Sequence, residues 1–266
     1  MKTISCVALL VVLFAFTAGA QSASLLDGYK LVTGPIIPAG VEDNLSGLTF
    51  DADRGTLLAV LNKPTRIVEL DRDGKVLGTI ALDGFEDTED MVSMGGGRVA
   101  VIEERRRMVS VCQLPVGTNV IARPAGGVQV EAQNFENVGL EGVAYDAAGD
   151  RFFIVKEKAP RRIYTMKSGD GATITHPWEL ENNNFGLADF SAIAFDAKTG
   201  HLLMLSDESR CIVECTTEGQ EVGRLPLTAG SAGLTADVTQ PEGIAFDDQG
   251  RLYIVAEPNK FYVFAK

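Results

Sequence analysis

The stretch "GLEGVAYDAAGDRFFIVKEKAPRRIYTM", residues 139–166, runs in order through a short apolar strand, a turn of Asp and Gly, a second strand of aromatic and β-branched residues, a polar link and a third strand. The same plan occurs in "NLSGLTFDADRGTLLAVLNKPTRIVEL" from Asn44, "DTEDMVSMGGGRVAVIEERRRMVSV" from Asp87, "DFSAIAFDAKTGHLLMLSDESRCIVEC" from Asp189 and "QPEGIAFDDQGRLYIVAEPNKFYVF" from Gln240. Successive starts are 43, 52, 50 and 51 residues apart. Segments "KVLGTIAL" (75–82) and "EVGRLPL" (221–227), each preceded by a Gly turn, supply a fourth strand.

Four antiparallel strands repeated at about fifty residues describe the blade of a β-propeller. The fold class is therefore all-β, with five four-stranded blades. A sixth, degenerate blade within 115–136 is the alternative, and no long helix is expected. The last unit stops after three strands, while "YKLV" (29–32) is a β-type segment with no unit of its own. It is expected to complete the last blade and close the ring, because closure removes the free sheet edge that would otherwise invite another strand.

A chain of 266 residues with 45% hydrophobic and 23% charged side chains can bury a sizeable core, and one domain over 21–266 is expected. Residues 1–20, "MKTISCVALLVVLFAFTAGA", combine one Lys, an apolar run over 7–16 and a small-residue Ala18-Gly19-Ala20 site, as a cleaved secretory signal does. The run is short for a membrane span, so the mature chain is expected to be secreted or periplasmic with no span. Losing Lys2 takes the formal charge from −12 to about −13. Such a surface repels phosphate backbones and excludes nucleic acid as a partner.

Cys112, Cys211 and Cys215 remain beyond the signal. Cys211 and Cys215 share a predicted strand about 13 Å apart at ~3.3 Å per residue, too far to pair, so buried free thiols are expected. Partial "DADRG" (51–55) and "DRDG" (71–74) patterns lack the twelfth-position Glu of calcium loops and read as hairpin turns. His176 and His201 are the two histidines, and His201 falls in a hairpin turn on the face opposite the acidic one. No Gly-x-Ser-x-Gly elbow surrounds Ser206 or Ser209. Trp178 and the aromatics Phe50, Tyr145, Phe195 and Phe246 read as inter-blade packing.

In a propeller the first strand of each blade lies nearest the axis, and its start faces the end of the second strand. Aligned units place Ser46, Glu89, Glu141, Ser191 and Glu242 at the start of strand one. Asn62, Glu103, Lys156, Ser206 and Ala256 form a column at the end of strand two, with Glu104, Glu157, Asp207 and Glu257 one step on. Two carboxylates ~5 Å apart repel by about 3 kcal/mol at an effective dielectric of ~20, so the gathered charge needs an offset. Three are open: a hard cation such as Ca²⁺ held by Glu89, Glu141, Glu242, Glu103, Asn62 and Ser191; Lys156 as an internal counter-ion; or a protonated Glu. A basic column of Arg66, Arg107, Arg162, Arg210 and Lys260 reads either as salt bridging across the top face or as an anion-binding rim.

"NLSGLTFD", "LNKPTRIVEL", "GLEGVAYD", "KEKAPRRIY", "SDESR", "QPEGIAFD" and "AEPNKFYVF" occur in an order that resembles the SdiA-regulated, YjiK-like family of bacterial envelope propellers. The resemblance runs from about Asp43 to Phe264. It implies a periplasmic or surface-exposed propeller of a Gram-negative bacterium, related in fold to NHL-repeat proteins and to calcium-dependent lactonase and phosphoesterase propellers. It carries no settled activity. It supports Glu89, Glu141, Lys156, Glu157, Ser191, Ser206, Glu208, Glu242, Glu257 and Asn259, whereas Ala256 replaces a Ser frequent in the family. Among these, Lys156, Glu157, Ser206, Glu208, Glu257 and Asn259 are expected to face a small-molecule or protein ligand. Beside a structural or adhesive module that uses its rim loops, two functions follow as expectations. One is a propeller binding Ca²⁺ and such a ligand at the mouth of its channel. The other is a calcium-dependent hydrolase of lactones or phosphoesters, with Glu103, Glu157 or Glu257 as general base.

Overall fold

The runs LLAVL (57–61), VAVI (99–102), FFIV (152–155), LLML (202–205) and LYIV (252–255) are apolar at every position. Such runs suit strands covered on both faces. In the structure, a computed structural model describing residues 23–132, 139–158, 160–168, 174–175 and 185–266, they are the second strands of five blades. Residues 1–20, read above as a signal, and His176 and Trp178 lie outside the described residues.

The chain opens with β1 (Lys30–Ile36), which is set aside for the last blade. Blade one follows as β2 (Leu45–Asp51), β3 (Thr56–Leu61), β4 (Arg66–Leu70) and β5 (Val76–Asp83). Blade two is β6 (Thr88–Gly95), β7 (Arg98–Glu103) and β8 (Met108–Gln113). Two short strands come next: β9 (Val120–Ala122) pairs in parallel with β5, and β10 (Val128–Gln129) completes blade two on β8. The described residues of the 115–136 stretch, 115–132, therefore hold edge strands of blades one and two, and the described strands form five sheets. Blade three is β11 (Leu140–Asp146), β12 (Arg151–Lys156), β13 (Arg162–Lys167) and β14 (Ile174–Thr175). Blade four is β15 (Ala192–Asp196), β16 (His201–Ser206), β17 (Cys211–Cys215) and β18 (Glu221–Pro226).

Blade five is β19 (Pro241–Phe246), β20 (Leu252–Ala256) and β21 (Lys260–Ala265), and β1 adds antiparallel to β21 with Lys30 opposite Ala265 and Ile36 opposite Phe261. The N-terminal strand thus closes the ring, as the unpaired segment at 29–32 predicts. Two register shifts and Pro35 interrupt β1, which blunts the edge it presents.

Period-two alternation builds the core. Leu57, Ala59 and Leu61 of β3 face blade five, packing with Tyr253 and Val255, while Leu58 and Val60 face Val99 and Val101 of blade two. Equivalent clusters join blades two and three, three and four, and four and five, giving five cores for five blades. Each fully buried Leu or Val contributes about 1.5–3 kcal/mol.

Asp51, Asp146, Asp196 and Asp247 at the end of the first strand form the turn to the second in four blades, whereas blade two turns through Gly95, Gly96 and Gly97. Asp51 Oδ1 accepts from the backbone N–H of Asp53 at 3.0 Å and of Arg54 at 3.2 Å, and Asp247 Oδ1 accepts from Gln249 and Arg251, both at 2.9 Å. Asp71 Oδ1 likewise accepts from the N–H of Asp73 and of Lys75, both at 2.9 Å, so the "DADRG" and "DRDG" patterns are hairpin turns. His201 opens β16 at this end of the molecule, with Nδ1 2.6 Å from Glu214 Oε1.

Candidate metal centre at the channel mouth

An extra residue on the inner strand sets the acidic column. In blades one, two, three and five the pairing of first and second strands shifts register across Ser46, Glu89, Glu141 and Glu242 respectively. A bulge breaks the alternation of faces and re-aims one side chain. Here it turns these residues to the axis. Two positions earlier, Asn44, Asp87 and Gln240 take left-handed φ values of 58°, 56° and 49°, which bring the chain sharply into the strand.

The second column is fixed by backbone bonds. The N–H groups of Asn62, Glu104, Glu157 and Glu257 donate to the carbonyls of Asn44, Asp87, Gly139 and Gln240 at 3.4, 2.8, 3.1 and 2.8 Å. Asn62 is thus equivalent to Glu104, Glu157, Asp207 and Glu257. The alignment with Glu103, Lys156, Ser206 and Ala256 was one residue out, because Leu61 is the residue paired with Leu45 as Glu103 is with Thr88 and Lys156 with Leu140. Apolar runs show where a strand ends only to within a residue, and cross-strand pairing sets the register.

These residues enclose a cavity of about 280 Å³ lined by nine carboxylates, those of Asp87, Glu89, Glu104, Glu141, Glu157, Asp189, Asp207, Glu242 and Glu257, against two cations, Lys63 and Arg105. Ser46, Asn62 and Ser191 complete the polar wall. Further down the axis the channel becomes apolar, around Leu48, Met91, Val143, Ile193 and Ile244, and Phe50, Tyr145, Phe195 and Phe246 line its other end. The aromatics also pack between strands, as Phe153 on Phe195 shows.

Desolvation followed by mutual repulsion raises the carboxylates. Glu89 is pushed up to about 8 by burial, then by Glu104, Asp87 and Glu257. Glu104 rises to about 7 through burial and Asp87, and Glu242 to about 9 through burial, Glu257 and Asp207. Glu141 goes well above the carboxylate range, first by burial and then through Glu89, Glu104, Glu157 and Glu242. Neither Glu141 nor Glu242 has a hydrogen-bond or ion-pair partner among the described residues.

Asp87, Glu89 and Glu104 each offer an oxygen, all within 4.8 Å of one another. Oxygens on opposite sides of a Ca²⁺ ion at about 2.4 Å are about 4.8 Å apart, so the trio fits a hard cation. Asp87 Oδ2 is buried without a hydrogen bond and forms an ion pair with Arg105 Nε at 3.3 Å. Asn62 faces the trio as a donor, from Nδ2 to Glu89 Oε1 at 2.9 Å and Asp87 Oδ1 at 3.2 Å. Ser46 Oγ donates to Glu89 Oε2 at 3.4 Å, and Ser191 Oγ to the Pro241 carbonyl at 2.6 Å.

Other expected residues lie elsewhere. Glu103, fully buried, turns away from the axis to Arg123 Nε at 2.6 Å and Arg106 Nε at 3.2 Å. Lys156 is set against Glu131, 3.7 Å away, and is not among the residues that line the cavity. Ser206 Oγ and the Glu208 N–H both donate to Asp189 and so orient a cavity carboxylate from behind. The Glu208 side chain pairs with Lys158 at 3.2 Å, and Asn259 Nδ2 donates to the Val41 carbonyl at 3.0 Å, outside the cavity. In the basic column, Arg107 and Arg210 sit in turns with φ of 55° and 48°, one residue before β8 and β17, whereas Arg66, Arg162 and Lys260 begin β4, β13 and β21. Their partners include Glu131 for Arg107 and Arg162, and Asp237 for Arg210. The sequence alignment overlooked Asp87 and Asp189. Polar residues recurring two positions before the Glu column, at Asn44, Asp87, Asp189 and Gln240, were the signal for them.

The family model of SdiA-regulated proteins matches residues 21–265. The chain belongs to the SdiA-regulated family. Solved structures with similar folds include a gluconolactonase from Xanthomonas campestris (13% identity, 88% of this chain and 96% of that one, TM-score 0.53). A luciferin-regenerating enzyme (11%, 88% and 96%, TM-score 0.54) and a nidogen/laminin complex (13%, 80% and 72%, TM-score 0.54) are similar to the same degree. At these identities the likeness is one of fold. No helix among the described residues is long and apolar enough to cross a membrane.

Proposed function

We propose that this SdiA-regulated protein is a periplasmic or secreted propeller that holds a hard divalent cation, calcium, at the mouth of its channel and through it a small ligand or a protein partner. The observation that carries this reading is the trio of Asp87, Glu89 and Glu104, three oxygens within 4.8 Å in a cavity where carboxylates outnumber cations nine to two. Ser46, Ser191, Glu141 and Glu242 surround the trio with further oxygens. A bound ion would offset the repulsion that lifts their pKa values. The test is thermal unfolding of the mature protein after exhaustive chelation, with and without added Ca²⁺, for wild type and Glu89→Gln. A Ca²⁺-dependent rise in melting temperature that the substitution removes supports the reading, since only what binds the folded state stabilises it. Equal melting temperatures in all four samples would reject it.

A hydrolytic function stands second. A bound cation would polarise a lactone or phosphoester oxygen and acidify a water. Of the expected bases, Glu103 is outside the cavity and Glu157 is held by Lys158 at 2.7 Å, whereas Glu257 lines the cavity with its pKa raised by burial and by Asp43. Turnover of lactone or phosphoester panels with Ca²⁺, lost in Glu257→Gln, would move this reading ahead. Turnover that Glu257→Gln leaves unchanged would count against it.

A further inference from the structure

The cross-strand register aligns not only the residues that end the second strands but also those that follow. Leu61, Glu103, Lys156, Ser206 and Ala256 pair with Arg66, Met108, Arg162, Cys211 and Lys260. Two positions beyond that column stand Lys63, Arg105, Lys158, Glu208 and Pro258. Three successive blades therefore place a cation just outside the acidic ring, and the other two do not.

This arc is not uniform. Lys158 Nζ is paired with Glu157 at 2.7 Å and Glu208 at 3.2 Å, and Arg105 Nε lies 3.3 Å from Asp87 Oδ2. Lys63 is exposed and has no ion pair among the described residues. Lys63 and Arg105 both line the acidic cavity and also line an adjoining groove of about 450 Å³, walled by Asn62, Thr65, Phe85, Glu86, Asp87 and Arg106. Arg106 is held there by Glu86 at 2.8 Å. The groove thus opens beside the Asp87, Glu89 and Glu104 trio, and Lys63 is the cation standing on the boundary with its charge uncommitted.

A cation bound by carboxylates retains open positions for ligand oxygens. Most of the mouth is acidic, so an anion reaching the ion from the side of blades four and five would meet Asp189, Asp207, Glu242 and Glu257. From the side of blades one and two it would meet Lys63 and Arg105. A neutral ligand would gain nothing from this asymmetry, whereas an oxyanion gains a charge-assisted hydrogen bond. Resting on the cation reading above, we infer that the ligand is a small oxyanion, a carboxylate or a phosphate monoester, with one oxygen on the ion, another on Lys63 Nζ, and its remainder in the groove.

Calorimetric titration of the full mature protein tests this, with lactate and methyl phosphate as probes, each in Ca²⁺ and after chelation. Ca²⁺ affinity is measured separately on the same samples. The expected result is anion binding that requires Ca²⁺ and weakens about tenfold or more in Lys63→Gln, the loss of one charge-assisted bond. Lys63→Arg restores most of it, and Ca²⁺ affinity in Lys63→Gln stays equal or tightens. Binding of only one probe would decide between carboxylate and phosphate, in support of the inference. Three results overturn it. If Ca²⁺ binds and neither anion does, the ligand inference fails alone while the cation reading stands. If anions bind equally without Ca²⁺ or without Lys63, the bridging arrangement is wrong. If Ca²⁺ does not bind, both fall together.

Discussion

Asn62, at the end of blade one's second strand, donates from Nδ2 to Oε1 of Glu89, at the start of blade two's first strand, over 2.9 Å. The same nitrogen reaches Asp87 Oδ1 at 3.2 Å, so one amide from blade one holds two carboxylates of blade two. Removing it leaves those carboxylates facing each other. Asn62→Ala should cost the chelated protein about 1.5–3 kcal/mol in urea unfolding at pH 7. A cost below about 0.5 kcal/mol would show that water replaces the amide.

Stability without cation should fall with rising pH. Glu104, Glu89 and Glu242 have folded pKa values of about 7, 8 and 9, above those of an unfolded chain. Groups raised in this way bind more protons folded than unfolded, so their favourable contribution is complete below about pH 4 and is lost as pH climbs through the folded values. Urea midpoints of chelated protein should therefore decline between pH 5 and 9, and Ca²⁺ should flatten the decline. A midpoint constant over this window would contradict the pKa pattern.

Glu141 offers a test of opposite sign. Its carboxylate is raised by burial and by four neighbouring Glu residues. Glu141→Gln removes a charge that the apo cavity tolerates poorly, so at pH 8.5 after chelation the melting temperature should rise by about 3–6 °C, corresponding to ~1.5 kcal/mol in a domain of this size. In Ca²⁺ the order should reverse, with wild type melting higher. Parallel behaviour of the two proteins in both conditions would remove Glu141 from the site.

Beneath the mouth, Asp90 ties three blades. It accepts from the backbone N–H of Met91 and of Val143, each at 2.8 Å, and from that of Leu48. Any side chain at Gly47 would overlap the Asp90 carboxylate. Asp90→Ala strands these donors and should cost about 3 kcal/mol or more. Gly142→Ala should be similarly harmful, since its Cβ would lie 2.8 Å from the Ile193 nitrogen of the next blade. Equilibrium unfolding in urea checks both, and a loss under about 1 kcal/mol at either position would mean that the inner strands can shift apart.

The thiols should be silent. Cys112, Cys211 and Cys215 are buried and free. Burial foremost raises Cys112 to about 11 and Cys215 to about 12, and raises Cys211 as well. Native protein beginning at Gln21 should not react with a thiol reagent at pH 8, and should react at all three cysteines in guanidinium chloride. Fast reaction in the native state would require local opening of blades two or four.

Much of this architecture was legible beforehand. The repeat of strand, turn and apolar strand specified five blades, because one order of elements recurs five times at about fifty residues. The three-stranded last unit and the unpaired N-terminal segment implied the closure that β1 and β21 make. The Glu89, Glu141 and Glu242 column was visible too, since the same residue type recurs at the same offset from the strand. Glu104 was harder: Glu103 and Glu104 are neighbouring acidic residues with nothing local to say which one turns inward.

By itself, then, the sequence determined the all-β class, the number of blades, the ring closure and the acidic face, all of which follow from patterns repeated along the chain. Tertiary structure decided which residue of each adjacent polar pair meets the axis. It put Glu104, Glu157 and Glu257 into the mouth, and sent Glu103 to Arg123 and Lys156 to Glu131. The physical reason is the cross-strand register: Glu103 and Lys156 are paired opposite Thr88 and Leu140, and the next residue, Glu104 or Glu157, is held at the mouth by its N–H on the Asp87 or Gly139 carbonyl.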